Sequence, residues 1–373
     1  MSQTGSVNKQ VLVALSGGMD STYAAWTLKS QGYEVLGVHF RLDPFASVAA
    51  ESEDALDIDQ APRTEGEQRL VKSAEKTGVQ VLFVELGRKF RHLVLEPFLE
   101  EYKRGRTPNP CVVCNAKIKF ASLLDLADRL GAAFYATGHY ARVIKHPESG
   151  TQVVCQALDP KKDQSYFLCR VPSSHLERCL MPLGEMTKGQ VRAAVLKLGI
   201  LGPAVRPSQD LCFAKDGYKA LFKRLAYSSK PGPIVDVELG LVGRHEGIMN
   251  FTIGQRRGLS IALGKPKYVL SIQPATNTVL IGDKKHVYAR QFRASDVVWA
   301  DGLAPKGPAF FDTKIRYRHK AQEAQITPID GNDTTVSVRF DQAQPSITPG
   351  QAVTFYDGDC VVGAGWIEQV ART

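Results

Sequence analysis

Val11-Leu12-Val13-Ala14-Leu15-Ser16-Gly17-Gly18-Met19-Asp20-Ser21-Thr22 is the stretch that decides the fold class. Its first five residues are apolar and predict a buried strand; residues 20–30 predict a helix closed by Gly32. Between them sits a glycine pair flanked by hydroxyl groups. A strand, a tight glycine loop and a helix N-terminus in direct succession make an anion cradle, because the amides can approach closely and the helix dipole favours negative charge. Ser16, Ser21 and Thr22 add hydroxyls, and Asp20 adds a carboxylate suited to Mg²⁺. Neither G-x-x-x-x-G-K-[ST] nor G-x-G-x-x-G can be laid over this stretch, which excludes a Walker loop and a dinucleotide fingerprint. A plain structural turn is the competing reading, and the exact succession of strand, loop and helix weighs against it.

The same alternation continues outward. Strands are predicted at 35–40, 81–86 and 133–136, and helices at 67–76 and 118–130, with Gly78 and Gly131 as their stops. Thr187-Lys188-Gly189-Gln190 is a capping box that opens a helix over 191–198. Strand and helix taking turns at this spacing predict an α/β fold, a parallel doubly wound sheet covered on both faces. Residues 43–62 are acidic and aperiodic, and are read as a surface excursion, either a lid or a disordered insertion. After Ser229 glycines and prolines punctuate short segments, which predicts a small turn-rich central domain. From about residue 287 β-patterns dominate: Val336, Val338 and Phe340 alternate with polar residues, and a closed six-strand or similar small barrel is expected. The expected domains are therefore 1–226, 227–286 and 287–373.

The chain has 373 residues, 43% of them hydrophobic and 23% charged, an ordinary water-soluble balance. No apolar run approaches the roughly 20 residues of a membrane span, and the polar N-terminus lacks a secretory signal, so no membrane partner and a cytoplasmic location are expected. The net charge of +9 points to a polyanionic partner, with a merely basic surface as the alternative. The charge is patterned: residues 103–119 hold five Lys/Arg and no acid, and residues 213–285 hold twelve Lys/Arg against five Asp/Glu. Lys314, Arg316, Arg318 and Lys320 share parity in a predicted strand and would line one face of it, while Tyr317 faces the other way, to stack a base or fill a core. Gln255-Arg256-Arg257 suits either a phosphate contact or a solvated turn.

Seven cysteines in a large intracellular chain predict thiols or metal ligands over a disulfide framework. Cys111 and Cys114, in Gly105-Arg106-Thr107-Pro108-Asn109-Pro110-Cys111-Val112-Val113-Cys114-Asn115, lie beside a helix start and nearby bases, both of which favour thiolate. Cys212 lies in Ser208-Gln209-Asp210-Leu211-Cys212-Phe213. Cys155, Cys169, Cys179 and Cys360 have no motif around them and are expected to be buried, inert thiols.

The glycine loop resembles the pyrophosphate loop of the ATP-pyrophosphatase (PP-loop) superfamily, whose members adenylate an acceptor and hold the departing pyrophosphate. Over nearly its whole length the chain resembles the tRNA-specific 2-thiouridylases, which thiolate the wobble uridine. The matching stretches are SGGMDST, GRTPNPCVVCN, ATGHYAR (136–142), KDQSYFL (162–168), DLCF (210–213), FTIGQRRGL (251–259), IRYRH (315–319) and ITPGQAVTFYDGD (347–359). The resemblance implies nucleotide contacts at Ala14, Leu15, Ser16, Gly17, Gly18, Met19, Asp20, Ser21, Phe40 and Gly138. It implies a target-base region at Asn109, Pro110 and Cys111, and tRNA contacts at His139, Lys162, Asp163, Gln164, Arg316, Tyr317 and Gln351. It makes Cys114 the nucleophile and Cys212 the bearer of a persulfide supplied by an upstream donor, with a Cys114–Cys212 disulfide left after transfer. ATP and Mg²⁺ are the implied cofactors. The chain departs from many members in carrying Cys111 where they carry Asp. Cys111, Cys114 and Cys212 would supply three thiolates to a four-iron–four-sulfur cluster, so a persulfide route and a cluster route both stay open. Two further readings also stay open: a PP-loop enzyme that adenylates a small acceptor, and a nucleotide-gated RNA-binding protein without catalysis.

Overall fold

The computed structural model describes residues 9–46, 57–200, 211–214, 217–225, 227, 230–300, 304–329 and 331–371. Residues 47–56 of the acidic stretch, and Ser208-Gln209-Asp210 before Cys212, lie outside the described residues. The chain divides into two compact units, one of residues 1–93, 113–210 and 359–361, the other of residues 94–112, 211–358 and 362–373.

The first unit contains β1 (Gln10–Ala14), β2 (Glu34–Arg41), β3 (Asp57–Asp59), β4 (Gln80–Glu85), β5 (Phe134–Ala136), β6 (Arg142–Lys145), β7 (Gln152–Cys155) and β8 (Cys179–Leu180). Six of these form a sheet in the order β3-β4-β2-β1-β5-β8. All neighbours are parallel except β3, which runs antiparallel to β4. Val11, Leu12 and Val13 are fully buried, as an unbroken apolar run in a sheet covered on both faces requires. On one face Ala25 and Leu28 of the helix Met19–Ser30 and Leu70 and Ala74 of the helix Glu65–Glu75 pack with Val11, Val13 and Leu15. In a second cluster Tyr23 and Ala24 meet Tyr140, Val191 and Val195, the last two from the helix Lys188–Leu198. From β1 the chain moves first toward β2 and β4, then returns to β5 and β8 on the other side. The strand order reverses at β1, and the crevice at the carboxyl ends of β1 and β5 is where open α/β sheets bind ligands.

In the second unit β9 (Gly232–Asp236), β10 (Gly240–His245), β11 (Tyr268–Gln273) and β12 (Thr278–Gly282) form a sheet ordered β10-β9-β12-β11. Ile234, Val269, Val279 and Ile281 share a core with Phe98, Leu99 and Tyr102 of the helix Glu96–Lys103 and Phe222 of the helix Tyr218–Arg224. The remaining strands are β13 (Tyr288–Trp299), β14 (Ala309–Lys314), β15 (Gln322–Ile329), β16 (Asn332–Pro345), β17 (Ala352–Asp357) and β18 (Cys360–Ala371). They run β13-β16-β15-β14-β17-β18, and pairing of β13 with β18 closes the six-strand barrel. Phe292, Ala324, Ile326, Val336, Val338, Phe340, Val353 and Phe355 fill it, the period-2 pattern read from the sequence.

Four expectations are corrected. The acidic stretch is not structureless throughout: Asp57–Asp59 forms β3 at the sheet edge, where Asp59 and Glu67 bind Arg41 at 3.1 and 2.9 Å. Three residues are too few to show a period, and edge pairing uses the backbone. The helix expected from Ile118 begins at Pro110, runs through Cys114, widens to a π-turn over Asn115–Phe120 and ends as Ala121–Leu130 before Gly131, whose φ is +69°. Proline at a helix start forfeits no hydrogen bond. The strand expected through Lys320 ends at Lys314; Ile315 turns into the core, and the His319 amide closes a turn on the Arg316 carbonyl. Finally, Cys155 and Cys360 are joined in a disulfide, because β7 and the first residue of β18 put them directly opposite each other with Cα atoms 4.0 Å apart. Cys169 and Cys179 are buried and lie outside the disulfide, as expected.

Candidate active site

The loop after β1 is shaped by its own hydroxyls. Gly17 has φ +78°, a conformation natural to glycine. The Ser16 amide donates to Ser21 Oγ at 3.1 Å, and the Ser21 and Thr22 hydroxyls each donate to the Gly18 carbonyl at 3.1 Å. Gly18 is the N-cap of the helix and offers no side chain to its first amides, while Ser16 and Gly17 are exposed. An uncapped helix N-terminus beside an open glycine turn is a ready anion site. Ala14 ends β1. The Leu15 amide donates to the Val38 carbonyl at 2.7 Å, and His39 Nδ1 donates to the Leu15 carbonyl at 2.7 Å. Burial holds His39 below the ordinary histidine value, so it serves as a neutral brace. Phe40, next along β2, is half-buried and pairs with Val84.

Asp20 stands at the start of the helix and takes three polar contacts. Tyr140 donates its hydroxyl to Asp20 Oδ1 at 2.7 Å, and Lys188 Nζ lies 2.5 and 2.7 Å from the two carboxylate oxygens. Burial, then the Asp20 carboxylate, push the Tyr140 phenol above the usual tyrosine range, so it stays a donor. Neither Tyr140 nor Lys188 stood out in the sequence as a site residue. Tyr140 sits inside ATGHYAR, and Lys188 inside a capping box whose local role is complete without it. Gly138 has a steric reason: a Cβ there would lie 2.8 Å from the Cα and the amide nitrogen of Ser21. The end of β5 thus presses directly on the first turn of the loop's helix.

His139 Nδ1 is 2.9 Å from Thr137 Oγ1, and its ring tilts against Phe120. Burial and the Lys119 charge lower its pKa to about 3, so it is a neutral imidazole. Lys162 is exposed. Asp163 is buried and accepts from the Ala157 amide, the Ser165 amide and the Ser165 hydroxyl at 3.2, 3.1 and 2.9 Å. Gln164 brackets Tyr140: its Oε1 accepts from the Tyr140 amide at 2.9 Å and its own amide donates to the Tyr140 carbonyl at 2.8 Å.

Cys111 is half-buried and Cys114 buried, both in the helical turn that starts at Pro110; Cys212 is exposed. Cys114 belongs to the first unit, and Cys111 and Cys212 to the second. Within the second unit the loop before these cysteines is stapled to the barrel. Arg106 forms ion pairs with Glu101 at 2.6 Å and Glu368 at 2.5 Å, and the Ser295 hydroxyl supports Glu368 at 2.8 Å. Gln351 Nε2 donates to the carbonyls of Thr107 at 2.9 Å and Pro108 at 3.2 Å. Gly350 lets the chains approach, since a Cβ would come within 2.9 Å of the Thr107 oxygen. Asn109 and Pro110 are consequently buried. Arg316 donates to the Pro345 carbonyl at 2.9 Å, Tyr317 is half-buried, and Arg318 and Lys320 are exposed. Gln255 ties its own turn through the Thr252 amide and the Arg257 carbonyl, leaving Arg256 and Arg257 exposed. Not every base of the central segment is free for a partner: Lys267 is buried between Asp236 and Asp283 at 2.7 and 3.0 Å.

Residues 9–216 match the domain family described as "tRNA methyl transferase HUP domain", residues 221–283 "tRNA methyl transferase PRC-barrel domain", and residues 289–367 "Aminomethyltransferase beta-barrel domain". Full-length relatives carry a different activity in their names. The tRNA-specific 2-thiouridylase MnmA of Syntrophotalea carbinolica is 41% identical over 96% of this chain and 99% of its own. The tRNA-specific 2-thiouridylase MnmA of Carboxydothermus hydrogenoformans is 41% identical over 97% of this chain and 98% of its own. That of Halothermothrix orenii is 39% identical over 96% and 99%. With the parallel sheet, the middle domain and the closed barrel all present in that order, the chain belongs to the tRNA-specific 2-thiouridylase family.

Proposed function

We propose that this chain uses ATP to replace the oxygen at carbon 2 of a tRNA wobble uridine with sulfur. The observation that carries the reading is the open glycine loop and uncapped helix start at the point where the strand order reverses. A carbonyl oxygen on uracil is a poor leaving group. Its attack on the α-phosphorus of ATP expels pyrophosphate and converts it to a phosphate ester, which leaves readily as AMP. Loop amides and the helix N-terminus stabilise the charge that accumulates on pyrophosphate. The contacts assigned to Ala14–Ser21, Phe40 and Gly138 fit this site, with Gly138 acting through its closeness to Ser21. Asp20 would hold Mg²⁺, which neutralises phosphate charge; its carboxylate already accepts a cation, Lys188 Nζ, so the position suits positive charge.

The terminal sulfur of a Cys212 persulfide then attacks carbon 2 and AMP departs. Attack of the Cys114 thiolate on Cys212 Sγ breaks the sulfur–sulfur bond, leaves the transferred sulfur on the base and yields a Cys114–Cys212 disulfide. A dithiol reductant restores the two thiols, and an upstream persulfide donor reloads Cys212. Exposure of Cys212 suits loading by another protein. Cys111, Cys114 and Cys212 are also an all-thiolate set of the kind that holds an iron–sulfur cluster, with Cys111 as the distinctive member. Asn109, Pro110 and Cys111 would meet the target base on a loop that Arg106 and Gln351 brace. The tRNA would be held by residues 227–286 and 287–373 together with Lys162, Arg316, Tyr317 and the exposed cations near them, and its use would put the enzyme in the cytoplasm.

The test is conversion of uridine-34 tRNA to 2-thiouridine, followed by mercury-affinity gel shift with ATP and a persulfide donor. Cys212→Ser should adenylate the tRNA and form no thiouridine. Full thiolation by that variant removes Cys212 from the chemistry, and thiolation without AMP formation removes the loop.

A further inference from the structure

The glycine loop contains no lysine, yet an ammonium group stands beside it. Lys188 is the first residue of the helix Lys188–Leu198, 168 positions away in the chain. Cations at a helix N-terminus oppose the macrodipole, so helix stability does not account for a lysine there. The helix start is firmly held. Gln190 Oε1 accepts from the Thr187 amide at 2.7 Å, Thr187 Oγ1 accepts from the Gln190 amide at 3.3 Å, and the Lys188 amide donates to Asp159 Oδ2 at 3.0 Å. Val191 and Val195 pack with Tyr23 and Ala24 of the loop's own helix. The lysine stem is thereby directed at Asp20, where Nζ meets both carboxylate oxygens and lies 5.7 Å from the centre of the Tyr140 ring. Both side chains keep about a third of their surface in solvent, at 31% and 32%, so the pair is open to an incoming anion.

Resting on the reading of the loop as an ATP site, we propose that Lys188 is its missing phosphate lysine. Asp20 holds the ammonium in the free protein. When the triphosphate enters the loop, Lys188 Nζ transfers to a phosphate oxygen, frees the Asp20 carboxylate, and then stabilises the departing pyrophosphate. The N-terminus of the loop's helix and one ammonium would then face the same anion, with Tyr140 holding Asp20 in place during the exchange.

The test uses the full chain and two readouts: the rise in melting temperature caused by pyrophosphate or ATP with Mg²⁺, and tRNA-dependent pyrophosphate release. Lys188→Met should melt close to the parent without ligand, lose most of the ligand-induced rise, and release pyrophosphate on the order of 100-fold more slowly, the scale for one lost charge-stabilising donor. Lys188→Arg should recover at least tenfold of that rate. Should the methionine variant not fold, Lys188→Gln decides on the same readouts. A rise and a rate both within twofold of the parent in a folded uncharged variant would overturn the proposal. A parent protein that shows no rise with either ligand would instead overturn the ATP reading of the loop.

Discussion

Tyr140 donates its hydroxyl to the Asp20 carboxylate at 2.7 Å, joining the segment that follows β5 to the helix that follows β1. A hydrogen bond to an ionised group is worth about 1.5–3 kcal/mol. Tyr140→Phe keeps the ring that packs with Tyr23 and Val191 but frees the Asp20 carboxylate to swing. The expected outcome is a weaker apparent affinity for ATP, with the ligand-free melting temperature falling by only a few degrees. Steady-state pyrophosphate release against ATP concentration measures it.

Gly138→Ala should be far more damaging to the chemistry than its size suggests. The added methyl would sit 2.8 Å from the Ser21 backbone, so either β5 or the first turn of the loop's helix must move. Overpacking of this kind costs about 1–3 kcal/mol. Loss of ATP binding should exceed the loss of fold, which calorimetric titration and thermal melting of one preparation will separate.

His139 makes stability depend on pH in a defined direction. Its pKa falls from the ordinary 6.5 to about 3 in the folded chain, so between those values the unfolded chain binds the extra proton. The stabilisation is fully present above pH 6.5 and drains away as the pH falls toward 3. His139→Gln should flatten the acid side of the melting-temperature profile between about pH 6.5 and 4.5 relative to the parent. An unchanged slope would contradict the lowered pKa of this ring.

Thiol titration addresses the cysteines. Under denaturing, non-reducing conditions five thiols should react, those of Cys111, Cys114, Cys169, Cys179 and Cys212, and peptide mapping should find Cys155 bonded to Cys360. Seven should react after reduction. A Cys114–Cys212 bridge in protein taken directly from turnover, added to the Cys155–Cys360 bridge, is what the persulfide route predicts.

What the sequence made legible follows from locality. The apolar run of β1, the glycine pair and the first helix are contiguous, and the Thr187–Gln190 box is a four-residue pattern, so each could be read without tertiary knowledge. The barrel was legible because Val336, Val338 and Phe340 repeat at the period of a strand. The contacts that complete the fold and the site are between distant positions: Cys155 with Cys360 in the fold, and Lys188 with Asp20, Gln351 with Thr107 and Arg106 with Glu368 around the site. Nothing near Cys155 or Cys360 distinguishes them from Cys179, and only strand register places them opposite each other. Lys188 was hidden differently, since a capping box explains its neighbours and leaves no local reason to question it. Asp163 lies in a stretch whose resemblance implies RNA contact, and its carboxylate turns inward to order residues 157–165.

The most direct measurement follows one oxygen atom. With tRNA carrying oxygen-18 at carbon 2 of the target uridine, AMP formed during thiolation should carry the label in its phosphate. Label-free AMP accompanying full 2-thiouridine formation would contradict it.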